Sequence, residues 1–514
     1  MRRAGVPAAL LGVAIGCALA AARLARADVT LPALLSDGAV LQRDVPVPIW
    51  GKAVAGEKVA VTLGAQTAQT ITGADGRWQV ALSPVAAGGP YEIDVQGANR
   101  LTRKDILFGD VYLCSGQSNM ELSLGRASNG PAAIAGSADP ELRFFRIARA
   151  QPATPADDVR AVWRPAGPES SGGFSAVGYF FGRALRRAEH VPIGLIGSYV
   201  GGTPGQAWTR EEILAGNPDL KRRYIDTFAA GQATHDRQMA AYVAALASAK
   251  ALGKREPQRP YNYQRYSTLY NGMIAPLTPA PLRGVLWYQA ESNAADPVGY
   301  GELLPAMITD WRSQWRAPAM PFLLVQLPAF GTTVGNGTGW AELREAQART
   351  ARTLASVGMV VTIDVGTQHN IHPTDKEPVG ERLALLARKM IYGESALVAG
   401  GPTLRNATFT GDKATIQFDN AGDGLEARAG TVSGVPVTAD ALTGFTLAGA
   451  DGKFVPAVAK ITGRDTVEVS ATGVAAPKSV RFGFVNFPVL NLWNKNGLPA
   501  APFRTDAPAA ESRP

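Results

Sequence analysis

Cysteine is almost missing from this 514-residue chain, which holds two, Cys17 and Cys114. Cys17 lies in an N-terminal stretch that reads as cleaved. Cys114 then stands alone, and an intramolecular disulfide framework is excluded. No CxxC or HxxxH spacing occurs, so nothing suggests structural zinc. Histidine is scarce too: His190, His235, His369 and His372 are the full set. Low-complexity tracts and internal repeats are absent. Basic residues form no cluster of the kind that tracks phosphates, which makes nucleic acid a poor partner. The one long apolar run, residues 6–22, is short for a membrane span, and no second run follows it.

That run has the form of a targeting segment. Arg2 and Arg3 precede it, and Ala25-Arg26-Ala27 supplies a small-x-small cleavage site before Asp28. We read residues 1–27 as a signal peptide and the mature protein as exported, periplasmic or secreted. A lipid anchor at Cys17 is the weaker alternative, because Ala14 stands where such sites favour leucine. Removing Arg2, Arg3, Arg23 and Arg26 lowers the formal charge from +8 to +4.

What the chain does have is short strands, turns and a change of texture. Residues 28–107 alternate apolar and polar residues around Gly/Asp turns, as in a small β-sandwich. Residues 108–399 alternate continuous apolar strands with amphipathic helices, the pattern of a parallel sheet covered on both faces. Within them, about 210–260 is charged and helix-like and reads as an insertion. Residues 400–505 return to antiparallel β texture, and 506–514 read as a disordered tail.

In an open parallel sheet, ligands bind at the carboxyl ends of the strands. Four strand ends here carry polar or glycine-rich sequence: 116–119, 201–203, 289–293 and 366–372. A serine hydroxyl needs a base to act as a nucleophile, and histidine is the usual one. Ser118 sits just past the first of these ends. His369 and His372 follow the last, and Pro373 restricts His372 to an extended backbone. Oxyanion donors are available in the N–H groups of Ser118 and of the Gly201-Gly202 turn, with a carboxamide from Gln289 or Asn293. Cys114, inside an apolar strand, reads as a buried hydrophobe.

The motifs GDVYLCSGQSNMELS, GLIGSYVGGTPGQAW, LYNGMIAPL, GVLWYQAESN and NIHPTDKEPVGERLA together resemble the sialate O-acetylesterases and related bacterial carbohydrate acetylesterases of the SGNH hydrolase superfamily. The resemblance spans nearly the whole mature chain. It implies a flavodoxin-like three-layer α/β/α domain flanked by β-domains. The implied activity is serine hydrolysis of acetyl esters on sugars, with no metal and no cofactor. It assigns Ser118 as nucleophile, His372 as base, Gly202 as the second oxyanion donor, and Gln289 and Asn293 as candidates for the third.

Two positions depart from the family pattern. Asn370 replaces the usual aspartate before the base, and His369 stands where the wider superfamily carries its acid. Glu291 is the favoured orienting acid, with Asn370 and Asp364 as alternatives. Ala290 replaces a usual glycine, and its methyl is expected to narrow the pocket or shift the turn. The substituted acid also keeps open a glycan-binding protein on a degenerate esterase scaffold. A lipase or thioesterase would need a long apolar groove, for which no segment is evident.

Overall fold

The computed structural model describes residues 28–257, 265–331 and 338–506. The expected signal peptide, Cys17 and residues 507–514 lie outside them. Asp506, expected in a disordered tail, is held by Arg481 at 2.6 Å. Among the described residues no helix is long and apolar enough to cross a membrane.

Seven strands form the central sheet: β1 (Arg100–Gly116), β2 (Asp139–Arg146), β3 (Trp163–Ala166), β4 (Ile193–Tyr199), β5 (Gly284–Tyr288), β6 (Phe322–Val325) and β7 (Val357–Val360). Their order is β7-β6-β5-β1-β4-β2-β3. Every neighbouring pair is parallel except β2 with β3. Every residue of β4, β5 and β6 is buried, as strands covered on both faces must be. The chain runs from β1 toward β2 on one side and later returns to β5 on the other. The carboxyl end of β1 is therefore the topological switch point, where such sheets bind ligands.

Among the helices around this sheet are α1 (Ser118–Glu121), α2 (Ala176–Glu189), α3 (Thr227–Ala251), α4 (Pro297–Gln314), α5 (Gly339–Thr353) and α6 (Glu377–Met390). Successive side chains on a strand point to opposite faces. Trp287 of β5 meets Trp311 of α4 edge-on, at 5.7 Å between ring centroids. Its neighbour Tyr288 turns to the other face, where Lys376 precedes α6. The sheet is thus sandwiched between helix layers. The α2 start follows its sequence: Ser175 accepts the Gly178 N–H at 3.1 Å as an N-cap. The helix ends at His190, in a left-handed conformation with φ 55°. The insertion is helical through residue 251, and α3 is mostly exposed.

The N-terminal strands do not end where the catalytic sheet begins. β1 is one 17-residue strand. Its first half pairs antiparallel with Gly88–Gln96, and its second half lies between β4 and β5. The expected boundary at 107/108 falls inside it. Asp110, fully buried in β1, accepts from Arg43 Nε and Nη2, both at 3.0 Å, and from Tyr392 at 2.9 Å. Residues 400–506 form antiparallel sheets around a second core that includes Ile416, Phe445, Val467 and Phe482. Arg504 joins this part to α5 through both oxygens of Glu345, at 2.9 and 2.6 Å.

Gly116, the last residue of β1, has φ 133°, and a β-carbon there would overlap the Tyr288 carbonyl. Only glycine permits this approach. Gly116→Ala is expected to cost about 3 kcal/mol of stability through strain and forced separation of β1 from β5. Urea unfolding of the purified protein measures it; an unchanged midpoint would refute the close-approach argument.

Candidate active site

The chain leaves β1 at Gly116 and turns at once into α1. Gln117 N–H donates to the Tyr288 carbonyl at 3.0 Å, and Val200 N–H donates to the Gly116 carbonyl at 3.1 Å. The turn is thereby stitched to both neighbouring strands, and Ser118 is presented at its crest, half-buried. Ser118 Oγ lies 2.8 Å from His372 Nε2. With the ring proton on Nδ1, Nε2 accepts from the hydroxyl, the geometry that general-base activation of a serine requires.

His372 arrives from the loop after β7. The imidazole pKa lies below the ordinary value of 6.5, first through burial and then through the positive charges of Lys376 and Arg126. Among the described residues the charges acting on the ring are those of Lys376 and Arg126, and no carboxylate pairs with it. The loop is held by its backbone instead. Asn370 Oδ1 accepts the His372 N–H at 3.0 Å, and the Ile371 carbonyl accepts from Asn119 Nδ2 at 2.9 Å. Both polar ends of the peptide unit that carries His372 are therefore pinned by side-chain amides. His369 is exposed on the same loop.

The three residues considered as the acid are not equivalent. Glu291 does not reach the imidazole. It is buried behind Ser118, with Oε1 accepting from Asn119 Nδ2 at 2.5 Å and Oε2 from the Ala290 N–H at 3.1 Å. Burial raises its pKa, opposed by the Asn119 hydrogen bond and by Lys376. Asp364 is committed elsewhere, to a two-point ion pair with Arg382 at 2.7 Å for each contact. It lies four positions beyond the end of β7, not at the strand end expected for it. Asn370 reaches the main chain of His372.

The oxyanion candidates also separate. The Ser118 and Gly202 N–H groups have no acceptor among the described residues. Gly202 has φ 72°, and a β-carbon there would meet nothing within 4 Å, so its turn faces open space. The Gly201 N–H is occupied by Glu121 Oε2 at 2.6 Å. Gln289 is turned away from an oxyanion role: its buried amide donates toward Gln117 Oε1, Thr203 O and Asn293 Oδ1 at 2.9–3.2 Å. Asn293 donates one N–H to Gln206 at 3.0 Å. Its second has no acceptor among the described residues. Ala290 is fully buried, so its methyl packs inside the protein and does not border the open cleft.

Two participants went unassigned in the sequence reading. Asn119 falls in the polar strand end 116–119, where composition gives it no role of its own. Lys376 is fully buried and donates to Asn119 Oδ1 at 2.6 Å, with its ammonium 5.1 Å from the Tyr288 ring centroid. Burial depresses its pKa to about 7, against the opposing pull of Glu291 and Asp375. Cys114 is fully buried and its pKa is raised by that burial, which leaves an inert thiol. Beside Ser118, an open cleft of about 410 Å³ is bordered by Glu121, Arg146, Arg149, Tyr199, Val200 and Gly201.

Residues 253–389 match the family model for a carbohydrate esterase, sialic acid-specific acetylesterase. The sialate O-acetylesterases of Pongo abelii and Homo sapiens are each 30% identical over 439 residues, 77% of this chain and 77% of the relative. The crystal structure of XAC1771, a carbohydrate acetylesterase from Xanthomonas citri, is 40% identical. It superposes with a TM-score of 0.79 over 93% of this chain and 100% of its own.

Proposed function

This chain belongs to the sialate O-acetylesterase family and is a carbohydrate acetylesterase, a carboxylic ester hydrolase; from that premise we propose that it is an exported enzyme that deacetylates sugars through an acetyl-serine intermediate on Ser118. The observation that carries the reading is the 2.8 Å contact between Ser118 Oγ and His372 Nε2. His372 takes the hydroxyl proton as Ser118 attacks the acetyl carbonyl. The developing oxyanion rests on the N–H groups of Ser118 and Gly202, with the second N–H of Asn293 as the third donor. His372 then returns the proton to the departing sugar hydroxyl. Water, deprotonated by the same imidazole, cleaves the acetyl-serine and releases acetate. The adjoining cleft supports a sugar rather than a long acyl chain, because Glu121, Arg146 and Arg149 make its border polar.

The family's usual ring carboxylate is replaced in this proposal by a dyad whose base is oriented through its main chain. Asn370 contributes one of the two contacts. Glu291 lies behind the serine, bonded to Asn119, and does not touch the base.

Ser118→Ala is expected to lower acetate release from acetylated glycans by at least ~10³-fold while leaving the fold intact. An acetate-release screen of residues 28–514 against acetylated sialosides, xylans and other plant polysaccharides tests both the chemistry and the sugar. Binding of a glycan by calorimetry with no release from any substrate would instead favour the glycan-binding alternative.

The base must be neutral to work, and burial with two nearby cations lowers its pKa. The kcat/KM profile for p-nitrophenyl acetate is therefore expected to lose activity with a midpoint below 6.5, the ordinary histidine value. A midpoint above that value would contradict the electrostatics assigned to His372.

Export rests on residues 1–27 alone. Sequencing the N-terminus of the protein recovered from a secreting bacterial host is expected to begin at Asp28, and recovery of an intact Met1 from the cytoplasm would refute it.

A further inference from the structure

Behind the reacting pair lies a buried ionic cluster that the mechanism above does not use. Lys376 is the one lysine fully enclosed among the described residues. A buried ammonium is strongly unfavourable unless it is compensated, so its retention calls for a role. The compensation here is indirect. Lys376 Nζ donates to Asn119 Oδ1 at 2.6 Å, and Asn119 Nδ2 donates to Glu291 Oε1 at 2.5 Å. One amide thus stands between a cation and an anion. The same Nδ2 donates to the Ile371 carbonyl at 2.9 Å.

The orientation of that amide follows from donor and acceptor chemistry. A lysine ammonium only donates, and a backbone carbonyl only accepts. Glu291 accepts at both oxygens, as an ionised carboxylate does. Asn119 must therefore present oxygen to Lys376 and nitrogen to Glu291 and Ile371. Asn119 directly follows Ser118, and Ile371 directly precedes His372. The amide consequently ties the turn bearing the hydroxyl to the loop bearing the imidazole.

We propose that Lys376 is a positioning residue for the esterase reaction: paired with Glu291 across Asn119, it keeps the Asn119 amide bound to the Ile371 carbonyl and so holds His372 in register with Ser118. Without Lys376, Asn119 Oδ1 loses its donor and Glu291 is left as an uncompensated buried anion. Glu291 then takes up a proton from solvent, because burial already raises its pKa. A protonated Glu291 can donate to Asn119 Oδ1. The amide reverses to accept that bond, and the Ile371 carbonyl loses its partner. Lys376 faces Glu291, Asp375, Tyr288 and His372, and His372 faces Lys376 and Arg126. Deleting the lysine charge therefore also raises the pKa of the base.

This inference rests on the Ser118–His372 reading, and the experiment separates the two. Lys376→Met, Glu291→Gln, the double variant and Ser118→Ala are assayed with p-nitrophenyl acetate, normalised to the number of active sites by burst titration, with Tm measured for each. Lys376→Met is expected to lower kcat per site by about 10²-fold, the scale of a misplaced catalytic group, with KM changed less than about threefold. Its acid-limb midpoint is expected to move to higher pH. The double variant removes both buried charges; it is expected to regain Tm without regaining kcat, and it carries the test should Lys376→Met not fold. A folded variant with kcat within about threefold of the parent, an unmoved midpoint, or kcat recovering in step with Tm in the double variant would each overturn the proposal. If Ser118→Ala itself stays active, the nucleophile assignment fails instead.

Discussion

The hydrogen bond between Ser118 and His372 joins residues 254 positions apart, and the rest of the catalytic domain is arranged to make it possible. Ser118 stands above β1, in the middle of the sheet. His372 comes from the loop after β7, at the edge, so that loop must travel back over the ends of β6 and β5. Such a path has little regular structure to hold it, and it is secured at intervals by side chains. Arg382 holds Asp364 near its start. Gly366 packs so closely on Ala329 that a β-carbon would overlap the main chain there. Asn370 and Asn119 hold the two ends of the Ile371–His372 peptide near its close. The entropy of a long loop is thus removed before substrate arrives, which is what a near-attack geometry requires.

The electrostatics of the site follow from the same burial. The groups behind the serine are buried, so their polar atoms turn mainly to partners within the protein. Gln117, Gln289, Asn293 and Gln206 bond to one another on one side of the β5 end, with Gln289 Oε1 left without a partner among the described residues. Lys376, Asn119 and Glu291 do so on the other. These two amide-rich clusters flank the nucleophile turn and restrict how far it can move. The acceptor and donor inventories leave little freedom: reversing one amide sets two oxygens against each other elsewhere.

Much of this was legible in the sequence for a definite reason. Buried parallel strands are continuous apolar runs, so residues 284–288 and 322–325 announce themselves, and the polar residues after such runs mark one edge of the sheet. Pro373 marked His372 as the stiffer of two loop histidines. The directions of side chains were not legible. Glu291 is in the right loop, but whether it faces an imidazole or an asparagine depends on the packing of three segments. Lys376 lies in TDKEP, whose composition reads as solvated surface; the fold buries it because α6 begins at the next residue and seats against α2. The strand through Gly109 and Asp110 misled for a related reason. Glycine followed by aspartate reads as a break, yet Gly109 meets the Pro192 carbonyl at close quarters and Asp110 is neutralised by Arg43. No local pattern carries those tertiary partners.

An amide at position 370 changes what the base can do. In the proposed mechanism a carboxylate on Nδ1 would stabilise the imidazolium formed as Ser118 loses its proton, and a neutral residue bonded to the main chain does not. Burial, Lys376 and Arg126 act in the opposite sense and lower the pKa of the ring. A base of lowered pKa accepts a proton less readily, so the barrier must be reduced by other means. The proposed mechanism has two: the fixed N–H groups assigned to the oxyanion, and the clamped peptide that spares the imidazole any search for its hydroxyl. On this proposal basicity is exchanged for geometry, and the charge that lowers the pKa of His372 belongs to the same lysine that is proposed to hold it in place.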